Sequence, residues 1–242
     1  VAAAALVFGV GARAGLGAAL CRRFAREGLE VFPCGRTGER LEVLADEIRA
    51  AGGAATPIVA DVTSASDVTR AFDRVEHAGG EPALVVYNAG NNRLRPLLEM
   101  DDAFFEEAWR VCCFGGFLVG REAARRMLQS ARGTLIFTGA TASVRARPPF
   151  TAFASAKAAL RALAHGMARE FGPRGLHVGH VIIDGGIDGD ALNSRFPQLK
   201  QQRGADSLLD PDAIADAFWA LHAQQRTAWT LELDLRPYKE SF

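Results

Sequence analysis

Gly11, Gly15 and Gly17 stand in the run Leu6-Val7-Phe8-Gly9-Val10-Gly11-Ala12-Arg13-Ala14-Gly15-Leu16-Gly17. Glycines at this spacing permit a tight turn and let backbone N–H groups approach a phosphate, which a following helix N-terminus favours electrostatically. The run follows an apolar stretch at 4–8 and precedes Leu16, Leu20 and Phe24, which recur on one helical face. A glycine turn between a strand and a helix is the setting that holds the pyrophosphate of a dinucleotide. The next apolar run ends Val31-Phe32-Pro33-Cys34-Gly35-Arg36. An acidic residue there would receive the ribose 2′-hydroxyl of NAD, but Gly35 and Arg36 occupy the position. With Arg13 available from the turn, two guanidinium groups favour the 2′-phosphate of NADP, leaving NAD the weaker alternative. Arg36 also reads as a solvated surface arginine.

Other chemistries find less support. His77, His165, His177, His180 and His222 show no pair at metal-ligand spacing with a third ligand, and His177 and His180 fall on opposite faces of a strand. No serine occupies a nucleophile elbow. Cys21, Cys34, Cys112 and Cys113 form no C-x-x-C pair and read as free thiols in a reducing compartment.

The elements that must position the glycine turn are legible as alternation. Apolar runs at 4–8, 29–34, 54–60, 84–87, 134–138, 177–183 and 229–234 are mostly continuous, as in strands buried on both faces of a parallel sheet. Amphipathic segments lie between them, Leu41, Leu44 and Ile48 marking the second. The pattern predicts a single α/β domain over 1–242, a Rossmann-type doubly wound parallel sheet of about seven strands with helices on both faces. The segment 184–209 is the least regular and is the candidate substrate lid. After it, Asp210-Pro211 predicts an N-cap and first-turn proline for a helix over 211–222.

Lys+Arg and Asp+Glu both number 28 in 242 residues, so no global field selects nucleic acid or an anionic membrane. The opening run 1–10 lacks a basic n-region and reads as a buried strand rather than a signal peptide. No apolar stretch approaches the roughly 20 residues of a membrane span. A cytoplasmic protein with a small-molecule substrate is the expectation.

The G-x-x-x-G-x-G spacing, Asp61-Val62 after the third strand, Tyr87-Asn88-Ala89-Gly90 after the fourth and Ala154-Ser155-Ala156-Lys157-Ala158-Ala159 on a later helix resemble the short-chain dehydrogenase/reductase family from residue 6 to about residue 190. The resemblance implies an oxidoreductase moving a hydride between nicotinamide and a carbonyl/alcohol pair. It places the cofactor against Gly11, Arg13, Gly15, Leu16, Gly17, Arg36, Asp61, Val62, Asn88, Ala89, Gly90, Lys157, Gly185 and Ile187. Asp61 would hydrogen-bond the adenine; it equally suits a helix N-cap. The resemblance also implies a homodimer or homotetramer joined through helices at 104–127 and 153–171, the latter carrying Ala154, Ala158, Ala162 and Ala168.

The family's reaction uses a tyrosine, a lysine four residues later, a serine about thirteen residues earlier and an asparagine on the preceding helix. Lys157 is in place, but Phe153 stands at the tyrosine position, Ala140 at the serine position and Cys112 at the asparagine position. The Pro-Gly that usually follows the sixth strand reads Asp184-Gly185. An alternative tyrosine position seven residues before the lysine is Phe150. Tyr87 and Tyr238 are the only phenols, the first a strand-end aromatic suited to the core, the second in the C-terminal tail. Thr141, Ser143, Cys112 and Asp184 are then the candidates for a proton donor or substrate contact. Arg145, Arg147 and Arg195, in segments expected to line the pocket, hint at an anionic substrate. Two functions follow: an oxidoreductase with a degenerate tetrad, or an inactive NADP-binding regulatory or scaffold protein.

Overall fold

The structure, a computed structural model, describes residues 2–240; Val1, Ser241 and Phe242, part of the expected domain, lie outside the described residues. Strand β1 (Ala2–Phe8) leads through the glycine turn to α1 (Leu16–Arg26), then β2 (Glu30–Gly35), α2 (Gly38–Ala50), and the short β3 (Ala54–Ala55) and β4 (Ile58–Val59). Helix α3 (Ala65–His77), β5 (Gly80–Tyr87), α4 (Asp102–Trp109), α5 (Gly115–Met127) and β6 (Thr134–Thr138) follow. The remainder is α6 (Thr151–Phe171), β7 (His177–Ile183), α7 (Asp190–Arg195), α8 (Leu199–Arg203), α9 (Pro211–His222) and β8 (Glu232–Leu235).

All described strands join one parallel sheet in the order β3-β2-β1-β5-β6-β7-β8, with β4 also pairing β2. Two-residue periodicity divides each strand between two cores. Ala5 and Val7 pack with α1, α2 and α9; Ala4, Leu6 and Phe8 pack with α3, α5 and α6. Burial on both faces explains why the strands read as unbroken hydrophobic runs. The order reverses between β2 and β5 on either side of β1, opening a crevice at the carboxyl ends where such sheets bind ligands.

Two local readings are corrected. The run 54–60 is two short strands, because Pro57 has no N–H for the ladder; Thr56 and Ala60 still donate to Val31 and Gly35. The segment 184–209 contains α7 and α8 rather than loop alone. The helix expected over 104–127 is present without a gap, with one π-helical turn, Arg110–Phe114, joining α4 to α5. Asp210 caps α9 as expected, its carboxylate accepting the Asp212 N–H at 2.9 Å. No helix among the described residues is long and apolar enough to cross a membrane.

Candidate active site

Where β1 ends, Gly9 takes φ +96° and lies so close to Asn88 and Ala89 that any Cβ would strike their backbone. The Asn88 N–H donates to Phe8 O at 2.8 Å, and its Nδ2 donates to Gly9 O at 3.1 Å. Asn88 therefore holds the two turns together. Gly17 has no room for a Cβ against Gly9 O, so α1 packs directly onto the turn, and Gly15 supplies its extended N-cap ahead of Leu16. These contacts open a cleft of about 650 Å³ lined by Gly9, Val10, Gly11, Arg36, Thr37, Arg40, Asp61, Val62, Thr63, Asn88, Ala89 and Gly90, with Glu106 and Arg110 on the far wall.

The residues fit a dinucleotide. Nothing lies within 4 Å of where a Gly11 Cβ would stand. From the segment after β2, Arg36 and Arg40 line the cleft while Glu39 between them does not. Arg13 is elsewhere: its exposed side chain pairs with Glu47 at 2.5 Å and it is absent from the cleft wall. Arg40, in the first turn of α2, is the second guanidinium there. Asp61 accepts the Thr63 N–H and hydroxyl, both at 2.8 Å, while Ser64 caps α3. The N-cap reading of Asp61 is thereby corrected, and its carboxylate borders the cleft. Gly185 takes φ +153° at the start of the segment 184–209, and Ile187 bridges to Leu209.

The segment 184–209 touches the glycine turn directly. The Ala14 N–H donates to the Asp190 carboxylate at 3.0 Å, and Gly189 sits so close to Ala14 O that a side chain there would collide.

On the other side of the crevice, Lys157 is 3% exposed, and its Nζ donates to the Thr138 carbonyl at 2.8 Å. Burial lowers its pKa from the ordinary lysine value. The Nζ is 3.6 Å from where a Gly90 Cβ would stand, so the lysine closes against the Asn88–Gly90 turn. The Phe153 ring centroid lies 5.8 Å from the same nitrogen. Ala140 donates its N–H to Ser143 Oγ at 3.1 Å, which keeps Ser143 in local structure. Cys112 is fully buried in the π-helical turn and accepts the Asn91 N–H at 3.3 Å. Tyr87 is buried with its hydroxyl on Val111 O, and burial raises its pKa; Tyr238 is exposed.

Thr141 and Asp184, separate candidates in the sequence, meet here: the Thr141 hydroxyl donates to Asp184 Oδ1 at 2.6 Å. Asp184 is 2% exposed and also receives Arg145 Nη2 on both oxygens at 3.0 Å and Arg236 at 3.2 Å. Behind this cluster, Glu232 binds Arg161 through two bonds of 2.6 and 2.7 Å and meets His165 and His180 at 3.1 and 3.0 Å. Burial drives the His180 pKa down to about 4, whereas the Arg161 hydrogen bonds bring Glu232 down to about 2.

Sequence reasoning missed Arg40, Asp190 and Arg236. Arg40 had a signal, four residues after Arg36 at the start of a helix. Asp190 and Arg236 had none, because their partners are 176 and 52 residues away in sequence.

A short chain dehydrogenase family model matches residues 4–200. An uncharacterized oxidoreductase of Bacillus subtilis is 34% identical over 221 residues, covering 90% of this chain but 31% of that protein, so the chain spans about a third of that relative's length. A short-chain dehydrogenase from Rhodopseudomonas palustris superposes with TM-score 0.83 at 39% identity, covering 98% of this chain and 99% of that one. A gluconate 5-dehydrogenase from Burkholderia cenocepacia, solved with NADP and tartrate, gives TM-score 0.84 at 26% identity over 97% and 94% of the two chains. A match of this extent, on a parallel sheet with a glycine turn facing a buried lysine, shows that the chain belongs to the short chain dehydrogenase family.

Proposed function

We propose that the protein is an NADP-dependent oxidoreductase acting on a carbonyl/alcohol pair, with Lys157 the one retained member of the family's catalytic tetrad. The observation that carries this reading is the buried Lys157 ammonium, fixed on Thr138 O and facing Gly90 at the inner end of the cleft. In that position it suits the ribose hydroxyls next to nicotinamide, which supplies the hydride chemistry when bound. Arg36 and Arg40 receive the 2′-phosphate, and the Gly9–Gly17 turn receives the pyrophosphate. NADP in the Burkholderia relative supports the same cofactor here.

Phe153 has no proton to exchange, Ala140 no hydroxyl to polarise a carbonyl, and Cys112 is sealed from the site. Acid–base assistance of the missing kind is worth about 10²- to 10⁴-fold, so turnover is expected to be slow. The segment 184–209 acts as the substrate lid. The outer faces of α5 and α6 border a groove of about 520 Å³ that includes Phe117, Leu163 and Phe171; they are the proposed contact in a homodimer or homotetramer.

The test is equilibrium binding of NADPH and NADH, then NADPH oxidation against a carbonyl panel by the wild type and Phe153→Tyr. The expected result is tight NADPH binding, slow turnover, and a gain on the order of tenfold in the variant, below the full effect because Ala140 remains. Binding without turnover in either protein would leave the non-catalytic NADP-binding reading. Failure to bind either nucleotide would remove the function altogether.

A further inference from the structure

We infer that the substrate carries an oxyanion, a carboxylate or a phosphate, and that Arg145 is the residue that receives it. The inference deepens the oxidoreductase reading and rests on it. Asp184 ends β7 on the same rim of the sheet as Thr138, whose carbonyl holds Lys157. Its carboxylate is almost fully buried and so requires partners. Thr141 and Arg236 supply two of them, and Arg236 is committed in turn to Asp234 at 2.6 Å.

Arg145 differs from Arg236. Only its Nη2 is engaged, on the two Asp184 oxygens, while its Nε and Nη1 bond to nothing among the described residues. Its side chain is 28% exposed, so the guanidinium is not sealed in the core with Asp184. A guanidinium has five N–H donors in a fixed plane. Pinning one nitrogen to a buried carboxylate orients the rest before any ligand arrives, which lowers the ordering cost of binding. The engaged Nη2 belongs to both two-donor edges of the guanidinium, so Nε and Nη1 remain as separate charged donors, which favour an oxyanion over a neutral carbonyl. Arg147, two residues on, is exposed and adds a second cation to the same rim.

Thr141 adds a directional constraint. Its hydroxyl hydrogen is committed to Asp184, leaving the oxygen as an acceptor. It therefore suits a substrate hydroxyl near the oxyanion and cannot at the same time donate to a carbonyl.

The test uses NADPH-saturated protein and alcohols, which cannot react with the reduced cofactor, so binding is read by titration calorimetry without turnover. Gluconate is compared with glucitol, and glycerol 3-phosphate with glycerol. The expected result is that at least one anion binds about tenfold or more tighter than its neutral counterpart. Arg145→Leu should abolish that preference and Arg145→Lys keep part of it, with NADPH affinity and melting temperature unchanged in the lysine variant. Gluconate and glycerol 3-phosphate separate the carboxylate from the phosphate. Equal binding of charged and neutral probes, or an anion preference that survives in Arg145→Leu, overturns the inference while leaving the oxidoreductase reading intact. A wild type that does not bind NADPH removes both, through a measurement independent of the anion arms.

Discussion

The Lys157 ammonium is bonded to the Thr138 carbonyl at 2.8 Å, tying the middle of α6 to the end of β6. A buried cation with one backbone acceptor is held in place by the fold but incompletely solvated, which is why its pKa falls. In the unfolded chain the lysine titrates near its ordinary value, so the folded state binds fewer protons just below it. Stability should rise with pH from the depressed folded pKa toward the ordinary one. Lys157→Met should fold, lose that alkaline slope in denaturant titrations, and weaken NADPH by about tenfold, the loss of one charge-assisted hydrogen bond.

Arg36 and Arg40 are exposed cations on the cleft wall, and Glu39 between them does not line it. Arg36→Ala with Arg40→Ala should reduce NADPH affinity by about 10- to 100-fold and leave NADH within about twofold, because only the former has the 2′-phosphate. Fluorescence titration of both nucleotides checks this. Equal losses for both would assign the arginines a general role in the cleft instead of phosphate recognition.

Asp190 places a carboxylate on the Ala14 N–H, within the turn proposed to receive the pyrophosphate. The negative charge opposes a phosphate there. Asp190→Asn should tighten NADPH by about two- to fivefold at low salt, the scale of a single charge at an exposed helix terminus, and the gain should shrink as salt is added. Unchanged or weaker binding would show that the carboxylate does not compete with the nucleotide.

His180 contributes acid lability. It is buried against Glu232, His165 and Lys157, and its folded pKa of about 4 lies below the ordinary 6.5. Between those values the unfolded chain takes up a proton that the folded chain refuses. The contribution is complete above pH 6.5 and is lost as pH falls toward 4. Glu232, lowered to about 2, adds a loss that begins only below its ordinary 4.5. Urea midpoints should decline from pH 6.5 downward, and His180→Gln should flatten the first part of that decline. His177 and His222 are shifted the same way by burial, so a residual slope remains.

The sequence by itself determined the architecture and the glycine turn between β1 and α1. Unbroken apolar runs recorded burial on both sheet faces, and the helical repeats of Leu16, Leu20 and Phe24 recorded which side meets the core. The glycine turn was legible because its residues are contiguous and its requirement is steric: Gly9 and Gly17 leave no room for a Cβ. That a phenylalanine, Phe153, stands four residues before Lys157 was equally legible, since it depends on residue type alone.

What only the tertiary structure decided are the pairings between distant segments. Arg13 and Arg40 were equivalent as residue types, until Glu47 drew one away and the start of α2 set the other into the cleft. Thr141, Arg145, Asp184 and Arg236 come from three segments brought to one rim by the adjacency of β6, β7 and β8. A buried carboxylate chooses partners by proximity and desolvation, neither of which is written locally in the chain. The same holds for Asp190, which reaches Ala14 across 176 residues of sequence.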